Sequence, residues 1–259
     1  MPEPKSFNAS AVLIAGGTSG TGLATAMRFA QAGVKRVGLL GRNPDRGAIA
    51  RQAVADRFPG ITVEYYSADT NSADAALAAA DWANTTLGGV DILVNATVGV
   101  YVPDLFHRLD IQSFGTLFEQ QLLGPLNMCR AVIDIMREQK SGVIINIASD
   151  AGKMVTPGET LIGAAMAGIV MFSRTLAIEA KRDGIRVNAI TPSLIQGTLA
   201  YDRSMNDGFS GKLFAKAVTQ AHLGLTDPED LAELIVFLAS PAARRITGQV
   251  VSVNGGISV

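Results

Sequence analysis

The chain has 259 residues, 48% of them hydrophobic and 17% charged, and 22 Lys+Arg against 23 Asp+Glu leave a net charge of −1. That balance lacks the basic surface a nucleic acid or an anionic membrane would need, and the composition can bury a core without long disorder. A single cysteine, Cys129, allows no internal disulfide or thiolate cluster, and two histidines, His107 and His222, argue against a His-ligated metal. No apolar run reaches the roughly 18 residues of a membrane span, and residues 1–10 lack an apolar signal region. A reducing, cytoplasmic setting is expected.

In chain order, residues 11–15, 37–40, 61–65, 92–94, 143–147, 185–190 and 250–253 are short apolar runs rich in β-branched side chains. Runs of this kind, without polar alternation, predict parallel strands buried on both faces. Amphipathic stretches between them predict helices over 23–31, 45–58, 73–87, 111–136, 161–181 and 228–238. Thr226-Asp227-Pro228-Glu229 reads as an N-cap followed by proline at the first helical position. The alternation predicts one α/β domain over 1–259. Its architecture is a Rossmann-like, doubly wound parallel sheet of seven strands with helices on both faces. Residues 193–225 carry no sheet pattern and are expected as an excursion above the sheet, a lid or substrate loop, with Phe209, Leu213 and Phe214 as apolar contacts.

The first strand runs directly into Gly16-Gly17-Thr18-Ser19-Gly20-Thr21-Gly22, and a helix follows. The spacing GxxxGxG serves a tight turn, close approach of a phosphate to the backbone, and close helix packing. The helix N-terminus then meets a pyrophosphate. The second strand ends in Gly41-Arg42-Asn43. An acid there would suit the ribose 2′-hydroxyl of NAD. An arginine with no acid suits a 2′-phosphate, so NADP(H) is expected over NAD.

These motifs, with others in fixed order, resemble the short-chain dehydrogenase/reductase family over nearly the whole chain. Residues 15–22 are similar to its glycine motif, and Asp69-Thr70 stands where its acidic residue contacts adenine. Residues 91–95 resemble the strand leading into its NNAG motif, and 142–152 the strand that delivers its catalytic serine. Residues 184–192 resemble the strand before its PG turn, and 247–256 its C-terminal strand. The resemblance implies a cofactor site from Gly16, Thr18, Ser19, Gly20, Thr21, Gly22, Arg42, Asp69, Thr70, Asn95, Ala96, Pro192 and Ile195, with Ser149 as the catalytic serine. It also implies a dimer or tetramer built on the two long helices, 111–136 and 161–181.

The family's carbonyl chemistry uses a tyrosine as proton donor, a lysine four residues later, and an asparagine on the preceding helix. Here those positions read Ile162, Met166 and Gln121, and residues 102–200 contain no tyrosine. Neither Ile nor Met moves a proton. The NNAG position reads Asn95-Ala96-Thr97-Val98 and the PG turn reads Pro192-Ser193. The adenosine half of the site reads as preserved and the reacting half as eroded. Tyr101, His107, Lys153 and Tyr201 are candidate substitutes, and each also reads as an ordinary loop residue. Ser149 reads equally as a turn cap, and Cys129 as inert core. Three functions stay open: an NADP(H)-dependent oxidoreductase with a rearranged proton donor, a silent subunit of an active relative, and a non-redox enzyme or cofactor sensor. The substrate, a small molecule, is not named by these residues.

Overall fold

The computed structural model describes residues 5–97, 99, 101–206 and 208–258. Seven strands, Ala11–Ala15 (β1), Arg36–Gly41 (β2), Thr62–Ser67 (β3), Ile92–Asn95 (β4), Gly142–Ile147 (β5), Ile185–Pro192 (β6) and Val250–Val253 (β7), form one parallel sheet. Its order is β3-β2-β1-β4-β5-β6-β7. The register pairs Ala15 with both Leu40 and Asn95, and Asn95 with Asn146. The C-terminal ends of β1, β2, β4 and β5 therefore lie along one edge.

Alternate residues of a strand point to opposite faces, and both faces are covered. On one side Val12, Ile14, Val37 and Ile145 pack against Gly20–Gln31 (α1), Pro44–Arg57 (α2) and Pro228–Ala239 (α9). On the other, Leu13, Leu93, Ile144 and Val187 meet Ala73–Leu87 (α3), Gly124–Gln139 (α5) and Thr160–Ala180 (α6). Asp227 caps α9 with Pro228 in its first turn, as the sequence predicts, and the structure adds a capping box with Asp230. Burial on both faces holds for β1 and β4. It fails for β3 and β7, which are edge strands and partly open to solvent.

The expected continuous helix over 111–136 is instead four pieces: a 3₁₀ turn Ile111–Ser113, a short helix Phe114–Phe118 (α4), a π turn Glu119–Leu123, and α5. Pro125 has no N–H to return to the carbonyl of Gln121, so the helical ladder cannot run through. The excursion after β6 is likewise more ordered than its sequence suggested, carrying Leu199–Asn206 (α7) and Gly208–Val218 (α8). One apolar segment also reaches membrane-spanning length, which corrects the sequence expectation. Thr160–Asp183 is long and apolar enough by length and composition, but here Ile162, Ala165, Ile169 and Ala177 of α6 are buried within the fold.

Candidate active site

The site begins where β1 turns into α1. The N–H groups of Gly16 and Gly17 both donate to the Leu40 carbonyl, at 3.0 and 3.1 Å. Gly16 has φ +81° and lies so close to β4 that a Cβ would sit 2.6 Å from the Ala96 oxygen. Gly22 packs back on Gly16, where a Cβ would fall 2.1 Å from the Gly16 carbonyl oxygen. Gly20 differs: a Cβ there would meet only the Thr198 methyl, at 3.6 Å. The turn is thus rigid on the protein side and open at Gly20. Ser19 precedes α1 in an extended conformation and its side chain caps nothing. The first-turn N–H groups, Thr21 and Gly22 included, keep their capacity for an anion. Thr18 rests against Gly41, whose added Cβ would lie 2.8 Å from the Thr18 methyl. All of this sits between β1 and β4, the point at which strand order reverses and ligands of such sheets bind.

At the adjacent strand ends, Arg42 Nη1 lies 3.9 Å from Asp69 Oδ2, both side chains being about half exposed. The sequence offered an arginine without an acid, and the fold supplies one from the end of β3. Thr70 is buried, and its carbonyl is held by Asn127 Nδ2 at 3.1 Å. Asn95 is placed differently from its expected cofactor role. Its side chain is buried and Nδ2 donates to Asn146 Oδ1 at 2.8 Å, while Oδ1 has no partner among the described residues. Asn95 therefore ties β4 to β5 and leaves Ala96 to face the turn. Pro192 ends β6, and Ile195 bridges Thr226 beyond it. The Ile195 carbonyl accepts from Thr198 Oγ1 at 2.7 Å, which seats Thr198 beside Gly20. Sequence reasoning missed Thr198 because nothing in the 193–225 stretch signals contact with the glycine turn.

The expected catalytic serine, Ser149, follows β5. Ser149 Oγ accepts from the Ala151 N–H at 3.2 Å, capping a 3₁₀ turn over Asp150–Gly152. Helix α6 rests on that turn through two glycines. A Cβ on Gly152 would lie 2.8 Å from Ala167 N, and one on Gly163 2.8 Å from the Ala151 oxygen. Ile162 and Met166 are buried with Ala148, Ala165 and Ile169, and Tyr101, Phe118 and Leu122 pack over them. Of the candidate substitutes, Tyr101 alone joins this cluster. Its hydroxyl donates to the Gly158 carbonyl at 2.6 Å. Burial first, then the charges of Glu159 and Asp104, pushes its pKa up to about 12. Lys153 Nζ bonds Ser252 Oγ at 2.5 Å. Tyr201 sits on α7 and His107 on an exposed 3₁₀ turn, Phe106–Arg108. Gln121 is buried in the π turn against Gly99. Cys129 is buried, and desolvation holds its thiol protonated, with a pKa raised to about 12.

Two acids here escaped sequence reasoning. Asp150, buried next to Ser149, accepts from Ser252 Oγ at 3.3 Å, from Ser258 Oγ at 2.6 Å and from Asn254 Nδ2. Those donors are distant in the chain, so the position of Asp150 beside Ser149 was the one available signal. Glu159, at the start of α6, is held above the ordinary carboxylate range, mainly by burial. The charge of Asp150 adds to this and a hydrogen bond to Thr156 opposes it.

Residues 15–258 match the family model described as enoyl-(acyl carrier protein) reductase. A 3-oxoacyl-(acyl-carrier-protein) reductase of Chlamydia muridarum is 34% identical over 251 residues, covering 96% of this chain and 97% of its own. The chain belongs to the short-chain dehydrogenase/reductase family. Within this oxidoreductase family it is also 32% identical to an acetoacetyl-CoA reductase of Shinella zoogloeoides over 244 residues, which cover 94% of this chain and 96% of the relative. A solved short-chain type dehydrogenase/reductase from Mycobacterium ulcerans superposes with a TM-score of 0.90 at 25% identity, covering 98% of this chain and 91% of the other. This family member carries the doubly wound sheet its motifs imply.

Proposed function

We propose that the chain is an NADP(H)-binding oxidoreductase in which the family's Tyr–Lys proton relay is absent. The observation that carries the reading is a contrast between two ends of one cleft. The glycine turn is closed toward β4 and open at Gly20. At the other end the positions assigned to the relay are Ile162 and Met166, buried in an apolar cluster. General acid–base catalysis contributes typically about 10²–10⁴-fold, and neither side chain can supply it.

In this reading the first-turn N–H groups of α1 hold the pyrophosphate, Arg42 meets the 2′-phosphate, and Asp69 and Thr70 border the adenine. Ala96, Pro192 and Ile195 border the nicotinamide end, and Asn95 holds β4 in register behind them. A bound NADP(H) would supply hydride chemistry. Ser149 orients a carbonyl oxygen with its hydroxyl. The relatives' names bring a 3-oxoacyl thioester to this chain as the substrate class.

A second reading is favoured by the exposed Met171 (58%) and Ile178 (63%) on α6. In it the chain is a subunit of a dimer or tetramer, paired with a copy of itself or with an active relative across α5 and α6.

A thermal melt with and without NADPH tests the first reading. At 100-fold excess over Kd the stabilisation is about 2.7 kcal/mol, a rise of several degrees, and no rise at millimolar cofactor refutes it. Size-exclusion chromatography with light scattering tests the second, and a monomer refutes it.

A further inference from the structure

Residues 254–258 lie against two segments that are distant from them in sequence. On one side is the turn that follows Ser149. Asp150, buried there, accepts from Ser258 Oγ at 2.6 Å and from Asn254 Nδ2 on one oxygen, and from Ser252 Oγ at 3.3 Å on the other. Asn254 folds the tail on itself. Its Nδ2 donates to the Ser258 carbonyl at 2.9 Å and its Oδ1 accepts from the Gly256 N–H at 3.0 Å. On the other side is the return limb of the 193–225 excursion. The Leu223 N–H donates to the Gly255 carbonyl at 3.1 Å. Gly255 has φ +65°, and a Cβ there would fall 1.8 Å from the Gly224 oxygen and 3.5 Å from the Ala221 Cβ.

The excursion is a loop closed at its base. The Thr226 hydroxyl donates to the Leu194 carbonyl at 2.8 Å, and the Gln196 N–H donates to the Thr226 carbonyl at 2.9 Å. Above that base it touches both ends of the cleft. Thr198 stands beside Gly20, and the Phe209 ring of α8 stands over Gly158, where an added Cβ would meet it at 2.7 Å. The tail adds an attachment of another kind, a backbone hydrogen bond and a close glycine contact that lead back to a buried carboxylate.

We propose that residues 254–258 are a strap that couples the excursion to the Ser149 turn, so that the two sides of the cleft move as one unit. Asp150 anchors one end and Gly255 the other. Each anchor needs its residue type. A carboxylate is acceptor-only, so it takes the Ser252, Asn254 and Ser258 donors together. Position 255 needs glycine, because the left-handed φ and the Gly224 oxygen leave no room for a side chain. The strap itself stands on these contacts, while its consequence for a substrate rests on the reading of Ser149 above. With the strap in place, a carbonyl compound at Ser149 is also held under the excursion. With it cut, the excursion loosens and the glycine turn is unaffected.

Hydrogen–deuterium exchange on the full chain, D150N and G255A tests the coupling. D150N keeps the side-chain volume and replaces one acceptor oxygen with a donor. G255A keeps the Asp150 bonds and forces the strap off Gly224. D150N is expected to raise exchange about 10-fold or more at Leu223, which Asp150 does not touch, and G255A to do the same over residues 151–154. Exchange over residues 11–31 stays at the parent rate in both. A change confined to the mutated end overturns the strap. If either variant also loosens residues 11–31, S258A decides, since it removes a single hydroxyl from Asp150. Faster exchange at Leu223 in S258A supports the strap, and an unchanged rate overturns it. Titration of acetoacetyl-coenzyme A onto the NADPH-loaded protein reads the consequence. D150N and G255A are expected to bind it about 10-fold more weakly, with the NADPH-induced melting shift unaltered. Equal binding by parent and variants overturns the strap's role at the cleft. Absence of binding by the unaltered chain overturns the substrate reading instead, and the exchange result still decides the strap.

Discussion

The Arg42 guanidinium and the Asp69 carboxylate face each other at 3.9 Å across the ends of β2 and β3. Ala68 N–H donates to the Gly41 carbonyl at 3.1 Å, which holds the two strand ends side by side. The pair is exposed, and such pairs are worth little, about 0–1 kcal/mol. In the proposed reading Arg42 would therefore exchange Asp69 for a doubly charged 2′-phosphate at small cost. Arg42→Ala is expected to weaken NADPH binding about 10-fold or more and to leave NADH binding nearly unchanged. Asp69→Asn is expected to favour NADPH slightly. Fluorescence titration of both cofactors on the three proteins checks this, and equal losses for NADPH and NADH would show that Arg42 does not read the 2′ position.

The glycine turn makes a sharper demand at Gly22 than at Gly20. A methyl at Gly22 collides with the Gly16 carbonyl oxygen, whereas one at Gly20 makes ordinary contact with the Thr198 methyl but suffers its φ of +49°. Gly22→Ala is expected to cost about 1–3 kcal/mol by overpacking and to lose the NADPH shift. Gly20→Ala is expected to fold with a smaller loss. Urea unfolding ranks the two, and a Gly22→Ala protein as stable as the parent would contradict this geometry.

Asp150 holds the C-terminal segment to the turn that carries Ser149. Replacing it with alanine strands the Ser258 hydroxyl and takes one acceptor from Asn254 Nδ2, which keeps Ser258, and hydrogen bonds to a charged group are worth about 1.5–3 kcal/mol each. Asp150→Ala is expected to lower stability by about 3 kcal/mol and to raise amide exchange in residues 252–258. Unchanged protection there would mean the tail is held by other contacts.

Glu159 predicts a pH dependence of stability with a definite sign. Burial raises its folded pKa above the unfolded value, so the folded state binds the proton more tightly. The stability it contributes is complete below the ordinary glutamate pKa, about 4.3. It is lost as pH rises through the folded value. Relative to E159Q, the unaltered chain is therefore expected to lose stability between the unfolded and the folded value and to change no further above it. Urea midpoints for both proteins across this range measure the difference, and a constant difference would refute the burial argument.

Much of the fold was legible in the residues themselves. The strands at 11–15 and 250–253 and the helix at 73–87 were bounded correctly, because apolar runs and caps are local signals. The glycine turn itself was legible for the same reason, since Gly16, Gly20 and Gly22 lie within one β-turn-α unit. Sequence reading failed for two different reasons, one local and one set by distant partners. The helix at 111–136 broke because Pro125 removes the bond to Gln121, a local cause that apolar periodicity conceals. The edges β3 and β7 were exposed by strand order, which no single segment encodes.

By itself, the sequence determined the family, the glycine turn, and the absence of a tyrosine or lysine at positions 162 and 166. Tertiary structure alone placed Asp69 against Arg42, turned Asn95 inward to Asn146, tied Asp150 to Asn254 and Ser258, and set Gly158 beneath Phe209. The division follows from range. Backbone conformation and motif spacing are written over a few neighbouring residues, whereas ion pairs, desolvation and the walls of a cleft depend on groups that only folding brings together.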